Sequence, residues 1–234
     1  MKLIRRSSAT DASGFATQCP SFTSLTGRED SVRPGINEAF ENPDVEKFVA
    51  AFEEESREVS VERKKIVAAC AIKPGMVVAD IGAGTGLFTR LFARNVGSKG
   101  KVFAVEIAPK FIEHIERTCK EKNIQNVVGV VCKADSVELL PKSIDLAFIA
   151  DTYHHFEYPF RTMNSIHRAL RAGGRVVLVD FKKIEGVSSE WVMDHVRAGQ
   201  ETVTKEIESV GFSVNHEPKF LKENYCLVFT KMDP

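Results

Sequence analysis

Hydrophobic positions along the chain follow two regimes that meet at Pro74-Gly75. Before it, Val45, Phe48, Val49 and Phe52 recur at helical spacing, and Val59, Ile66 and Val67 mark a second, charged helix. This predicts a helical N-terminal segment over residues 38–73. After the Pro-Gly break, Met76–Asp80 reads as a buried strand that runs into a glycine cluster. Strands and helices then alternate: helix Leu87–Val96, strand Lys101–Glu106, helix Pro109–Lys122, strands Val127–Lys133 and Ile144–Ala150. A helix over Tyr158–Arg171, a strand over Arg175–Asp180, a helix over Gly199–Val210 and strands at Ser213–Glu217 and Tyr225–Lys231 complete the pattern. Strands separated by helix-length segments imply parallel βαβ units with right-handed crossovers, hence an α/β, doubly wound, mostly parallel sheet over residues 74–234. The last two strands have no helix between them and are expected to pair antiparallel at one edge. Gly173-Gly174 is read as a helix C-cap and turn before the fifth of these strands.

Composition narrows the class. With 234 residues and 43% hydrophobic content, the chain can fill one sizeable core. Lys+Arg and Asp+Glu both count 32, so no net field draws the molecule to nucleic acid or an anionic membrane, and a small or neutral substrate fits better. The five cysteines (Cys19, Cys70, Cys119, Cys132, Cys226) are scattered, odd in number and without CxxC pairing, which argues against a zinc site and a disulfide framework. No metal is expected. No apolar run approaches the roughly 20 residues of a membrane span. Residues 1–37 read as a flexible leader, because a Ser/Thr-rich polar stretch cannot bury enough surface to order itself. The expected location is the cytoplasm. An organelle matrix is the alternative if residues 1–30, with Lys2, Arg5, Arg6 and Arg28 and Asp11 as the first acid, form a transit peptide.

Candidate chemistry begins at Asp80-Ile81-Gly82-Ala83-Gly84-Thr85-Gly86, directly after the first sheet strand. Glycines at alternate positions let backbone turn sharply and approach a ligand where any Cβ would collide. A dinucleotide fingerprint would place a third glycine at Leu87, so this spacing favours a ligand without a pyrophosphate. Twenty residues past Gly86, Glu106 closes the next strand, where a carboxylate can accept hydrogen bonds from both hydroxyls of a ribose. Asp135, after the third strand, could accept from an adenine amino group. Taken singly, the glycines could be a tight turn, the acids solvated and Ile107 plain core. Three acids at successive strand ends beside the loop favour an adenosine-containing ligand.

The segments VVADIGAGTGLFTRLFA, VFAVEIAPKF, KADSVELLP, IDLAFIADTYHHF and ALRAGGRVVLVDF, in this order, resemble the motifs of class I S-adenosylmethionine-dependent methyltransferases, in particular the small-molecule enzymes. The resemblance implies a seven-stranded Rossmann-like sheet with its last strand antiparallel, S-adenosyl-L-methionine as cofactor, and a small-molecule methyl acceptor. It further implies that Gly82, Ala83, Gly84 and Gly86 surround the methionine part. Glu106 would hold the ribose, Ile107 pack on the adenine, and Asp135 and Ser136 touch the adenine edge. Asp80 would orient the loop and face the ligand's amino group through water, and Asp151, delivered by the fourth strand, is counted with the cofactor-binding residues. Quinone C-methyltransferases are similar in these motifs, but their N-terminal signature is not evident here.

Methyl transfer from a sulfonium is an in-line displacement, so alignment and exclusion of water supply much of the rate, and acidic acceptors need a base as well. The fourth strand leads into Asp151-Thr152-Tyr153-His154-His155-Phe156 at the carboxyl ends of the strands, where α/β sheets bind ligands. His154 and His155 are candidate general bases, with backbone-bonded packing as the plain alternative, and Tyr153, Phe156 and Tyr158 offer aromatic surface. Asp180-Phe181 and the segment with Trp191, His195 and Arg197 are further candidates. Trp191 and His195 share a helical face that lines a lid or packs on the N-terminal helices. Phe48 and Phe52 pose the same choice, and Glu53-Glu54-Glu55 reads as a solvated face. Two other functions use the same loop: a non-catalytic S-adenosylmethionine or nucleoside binder, and an NAD-dependent oxidoreductase. Nucleic acid is not expected as a partner, since there is no basic stripe and no Asn-Pro-Pro-aromatic motif.

Overall fold

The computed structural model describes residues 30–53 and 57–232. Its sheet has seven strands: β1 (Val77–Ile81), β2 (Lys101–Glu106), β3 (Val127–Val131), β4 (Ile144–Ala150), β5 (Leu170–Phe181), β6 (Phe212–His216) and β7 (Asn224–Lys231). Their spatial order is β3-β2-β1-β4-β5-β7-β6, and β7 runs antiparallel to both β5 and β6 while the other pairs are parallel. The antiparallel pairing of the last two strands is therefore present, with β7 inside the sheet and β6 at its edge. Helices α1 (Glu38–Glu41), α2 (Val45–Phe52), α3 (Glu58–Val61) and α4 (Arg63–Ala69) precede β1. The strands alternate with α5 (Leu87–Val96), α6 (Pro109–Glu121), α7 (Pro159–Ala169), α8 (Glu190–His195) and α9 (Gln200–Ser209).

The central strands read as unbroken apolar runs because both faces of a parallel sheet are covered. Successive residues feed opposite layers. Ala79, Ile81, Ala147 and Ile149 pack with Met163 and Ile166 of α7 and Val203 and Ile207 of α9. Val78, Leu146 and Phe148 pack with Ile66 of α4 and Phe88 and Phe92 of α5. Chain from β1 proceeds outward to β2 and β3, then returns to place β4 on the other side of β1. The loops after β1 and β4 thus diverge, and the reversal leaves a crevice at the carboxyl ends of the two strands.

Four details depart from the sequence expectation. The N-terminal segment holds four short helices instead of two, because Pro43 bars Asn42 from helical geometry (φ −143°, ψ 66°) and ends the first. Asp44 then caps α2 by accepting from the Lys47 N–H. Strand β3 stops at Val131, since Lys133 pairs with Ser136 in a tight bridge. Gly173-Gly174 lie within β5 instead of capping the preceding helix. That strand starts at Leu170, opposite Ile144, and a register shift with Gly173 at φ +67° lets it regain alignment at Leu146–Arg175. Residues 30–37, grouped with the leader, are fastened to the fold: the Val32 N–H donates to the Glu157 carbonyl (2.9 Å) and Asn37 Nδ2 to the His155 carbonyl (3.1 Å). The rest of the leader, with the targeting question, lies outside the described residues.

Phe148 is fully buried, its ring centroid 4.8 Å from Phe88 and 4.9 Å from Phe92. Phe148→Ala is expected to cost about 3–5 kcal/mol, read from the urea midpoint, because the rings on α5 cannot collapse into the gap. A loss under about 1 kcal/mol would contradict this account of the core.

Candidate active site

The crevice is a cavity of 390 Å³, within the range of about 300–1,000 Å³ usual for small-molecule sites. Its floor is the loops after β1, β2, β4 and β5. Phe40, Phe48 and Phe52 from α1 and α2 form its roof, clustered on Phe111 with ring centroids 5.1–6.5 Å apart. The N-terminal aromatics thus serve the site as well as packing.

At one end lies the glycine loop. Gly82 has φ +69°, and a Cβ there would sit 2.2 Å from Thr152 Cγ2; Gly86 has φ +81°, and its Cβ would meet Ile115 at 2.7 Å. Only glycine suits this conformation at such close approach. Ala83 and Gly84 line the cavity beside them. Asp80 is buried and accepts a 2.5 Å hydrogen bond from the Thr89 hydroxyl. No basic side chain bonds it among the described residues. Burial raises its pKa to about 7; the Thr89 bond opposes this and the Glu106 charge adds to it. Glu106 is also buried and accepts from the backbone N–H of Gly84 (2.9 Å), Ile107 (2.7 Å) and Ala108 (3.4 Å). Burial raises its pKa as well, against those three bonds. Ile107 and Ala108 share Oε1, whereas Oε2 accepts from Gly84 alone and keeps a lone pair for a further donor such as a ribose hydroxyl.

This end holds two buried carboxylates with no cation bonded to Asp80 or Glu106 among the described residues, and its glycine bend brings bare backbone to the cavity wall. Both features fit a ligand that combines a cationic group with a hydroxylated sugar, as S-adenosylmethionine does. Sequence reasoning missed what holds the loop. Glu53 Oε1 accepts from the Thr85 hydroxyl (2.9 Å) and from Arg90 (2.7 Å), and Arg90 also donates to the Thr85 carbonyl (2.8 Å). Glu53, read as part of a solvated face, is therefore a clamp from the end of α2 onto the loop. Glu54 and Glu55 lie outside the described residues.

Other expected contributors lie elsewhere. Asp135 pairs with Arg161 (2.5 Å), and neither it nor Ser136 lines the cavity; Lys133, Ala134 and Val137 do so instead. Tyr153, a candidate catalytic residue, is turned into the core. Its hydroxyl donates to Glu206 (3.0 Å), which Arg197 grips with two 2.8 Å bonds, so the ring anchors α9 and does not face the cavity. Tyr158 is likewise absent from the lining. Cys132 does line the cavity, but burial pushes its thiol up to about 12, which leaves it unreactive.

The turn after β4 abuts the glycine loop at Thr152 and leads on to the histidines of the cavity. Asp151 has φ +46°; Arg57 reaches its Oδ2 (2.5 Å) and Asn224 Nδ2 its Oδ1 (2.7 Å). Burial nevertheless raises its pKa to about 6. His154 is buried, its Nδ1 2.8 Å from Asp180 Oδ1, and its backbone N–H donates to Asp180 Oδ2 (3.1 Å). Asp180, at the end of β5, thereby fixes the imidazole from both sides. The sequence pointed to both residues but not to their pairing. His155 is half-buried, with its Nε2 3.4 Å from Nε2 of His195 on α8. Burial, then the neighbouring His154 and His195, lower the His155 pKa to about 3. Burial lowers that of His195 too. Trp191 stacks on His195 at 4.6 Å, and both line the cavity, the first of the two placements the sequence left open for this helical face. Arg33 ties α8 in place by donating to the carbonyls of Asp194 and His195.

Residues 72–224 match the family model described as Methyltransferase domain. Among curated proteins, the ubiquinone/menaquinone biosynthesis C-methyltransferase UbiE of Hydrogenovibrio crunogenus is 29% identical over 114 residues, 48% of this chain and 45% of that protein. UbiE of Burkholderia cenocepacia is 25% identical over 118 residues, 50% of this chain and 48% of that protein. The matched stretches thus span about half the length of these relatives. Among solved structures, a SAM dependent methyltransferase from Aquifex aeolicus superposes with a TM-score of 0.73 at 21% identity, over 82% of this chain and 100% of that one. The [4+2]-cyclase SpnF superposes with a TM-score of 0.64 at 15% identity, over 75% and 82%. These two likenesses establish the fold, while the family model covers most of the chain. With the glycine bend, the two buried carboxylates and the seven-stranded topology, it places the protein in the methyltransferase domain family, among the class I S-adenosylmethionine-dependent methyltransferases.

Proposed function

We propose that the protein transfers the methyl group of S-adenosylmethionine to a small acceptor with a flat apolar body and an ionisable oxygen, sulfur or carbon centre. One observation carries this reading: a single cavity is lined by two buried carboxylates with no cation bonded to them among the described residues, by bare backbone, and by imidazoles among aromatic rings. The bound cofactor supplies an electrophilic methyl carbon on a sulfonium leaving group. Asp80 and Glu106 face its charge and ribose, and the clamp from Glu53 holds the loop around it. Phe40, Phe48 and Phe52 exclude water from above. Acceptor activation runs through His154, which Asp180 orients; His155, with its pKa near 3, is a weak proton acceptor at neutral pH. Methylation at carbon, which the UbiE relatives' name gives for ubiquinone/menaquinone biosynthesis, falls within this class. The acceptor chemistry is read from the cavity, because the shared stretch is only about half of those proteins. The test is incubation with methyl-labelled cofactor and fractionated cell extract, followed by mass spectrometry. A labelled small molecule is expected, and its absence from every fraction would favour a binding protein without chemistry.

Glu106→Ala is expected to weaken S-adenosylhomocysteine binding by about 1–3 kcal/mol in calorimetry. Unchanged affinity would remove its ribose assignment. His154→Ala is expected to lower turnover by about 10²-fold or more while S-adenosylhomocysteine affinity stays. Full activity would clear His154 of any part in the reaction.

Asp80 gives the site a pH dependence. Its folded pKa of about 7 stands above its ordinary 3.8, with Glu106 repelling its charge and Arg90 attracting it. Its stabilising contribution is therefore complete below about pH 4 and is lost as the pH rises through about 7. The ligand-free protein is expected to lose melting temperature over that window, and Asp80→Asn to flatten the loss. Because an ammonium group facing Asp80 favours its ionised form, binding of S-adenosylhomocysteine through its amino group near pH 6 should release protons, read by calorimetry in buffers of different ionisation heat. Proton-neutral binding would contradict this.

A further inference from the structure

We propose that His154, His155 and His195 form a site for one divalent transition-metal ion of the zinc type, with its remaining coordination position open to the acceptor end of the cavity. One ring nitrogen from each lies within 4.8 Å of those of the other two, and all three residues line the cavity. The Nε2 atoms of His155 and His195 are 3.4 Å apart. Two ligands of a tetrahedral ion with Zn–N bonds of about 2.0–2.1 Å are separated by about 3.3–3.4 Å, so this pair already has the required spacing.

The surroundings are those of a ligand set. Asp180 takes Nδ1 of His154, which leaves the lone pair on Nε2, the carboxylate–histidine arrangement that orients metal ligands and raises their basicity. Trp191 stacks on His195 at 4.6 Å with an 18° interplanar angle, and Phe40 meets the His155 ring edge-on at 5.2 Å. This apolar shell limits access of water. Arg33 lies on the backbone side of His195, where it fixes α8, and Arg57 is paired with Asp151. Asp180 is left as the carboxylate that balances the ion. A donor set of three imidazoles without thiolate suits Zn²⁺, Co²⁺ or Ni²⁺ and not Mg²⁺ or Ca²⁺. The sequence expectation of no zinc site rested on the cysteines and did not weigh a set of imidazoles, whose third member lies 40 residues beyond His155 in sequence and is brought in by α8.

The role of such an ion rests on the acceptor reading given above. A hydroxyl or thiol bound at the open position would lose its proton to bulk water near neutral pH, as zinc-bound water does, and keep its lone pair for the methyl carbon. His154 then acts as ligand, and activation runs through the ion it holds. The competing occupant of the gap between His155 and His195 is a single shared proton.

The test uses the full chain, free of any affinity tag, stripped with a chelator and titrated with Co²⁺. One equivalent is expected to bind with the intense visible bands of a tetrahedral ion. The bands should be lost in His195→Ala and in His155→Ala and kept in His216→Ala, with circular dichroism as the check of folding. Asp180→Asn should weaken binding by about 10–100-fold. Absence of stoichiometric binding, or bands indifferent to His155 and His195, would overturn the site. Calorimetry with S-adenosylhomocysteine on the same samples separates the two readings. Cobalt bound without cofactor affinity supports the site and removes methyl transfer, whereas cofactor affinity without cobalt overturns the site alone.

Discussion

The structure depends on two carboxylates, Asp80 and Glu106, that the fold buries at the carboxyl ends of adjacent parallel strands, with no cation bonded to either among the described residues. Desolvation of such groups is costly, and a chain selected for stability alone would place apolar residues there. Their retention is intelligible when a cationic, hydroxylated ligand completes the site. The glycine bend follows from the same demand. Of the three backbone N–H groups that reach Glu106, those of Ile107 and Ala108 follow it in the chain, and that of Gly84 is brought there by the tight path from Gly82 to Gly86.

The rest of the architecture serves this pair. The reversal of strand order at β1 and β4 opens the crevice, and the two core layers hold its floor rigid. The N-terminal helices join one core layer through Val59 of α3 and Ile66 of α4. They contribute the roof, through Phe40, Phe48 and Phe52, and two polar ties: Glu53 to the glycine loop and Arg57 to Asp151. Residues that touch the loop are thereby coupled to residues that cover the acceptor end.

Much of the fold was legible because parallel strands and amphipathic helices impose strong periodicities. The runs at Val77–Ile81 and Ile144–Ala150 and the glycine spacing announced β1, β4 and the crevice between them. The cofactor end was legible for a related reason: its groups follow strand ends, at positions that register already fixes. What the sequence concealed was long-range side-chain pairing. Glu53 sits in a run of three acids, where solvent is the expected partner, and nothing local marks Arg90 as its mate. Tyr153 stands beside the histidines in sequence, but a short turn sends its ring to Glu206 on α9. Asp135 shows the same limit, since Arg161 on α7 claims its carboxylate. His154 and Asp180 were each visible, and only the parallel pairing of β4 and β5 shows that they meet.

The central claim is that the bend after Asp80 and the carboxylate of Glu106 enclose an adenosyl sulfonium. Competitive equilibrium dialysis of the purified chain against labelled S-adenosylmethionine, with S-adenosylhomocysteine and NADH as competitors, tests it most directly. Saturable binding displaced by S-adenosylhomocysteine and untouched by NADH is the result expected. Displacement by NADH alone, or no binding of the labelled compound, would contradict it.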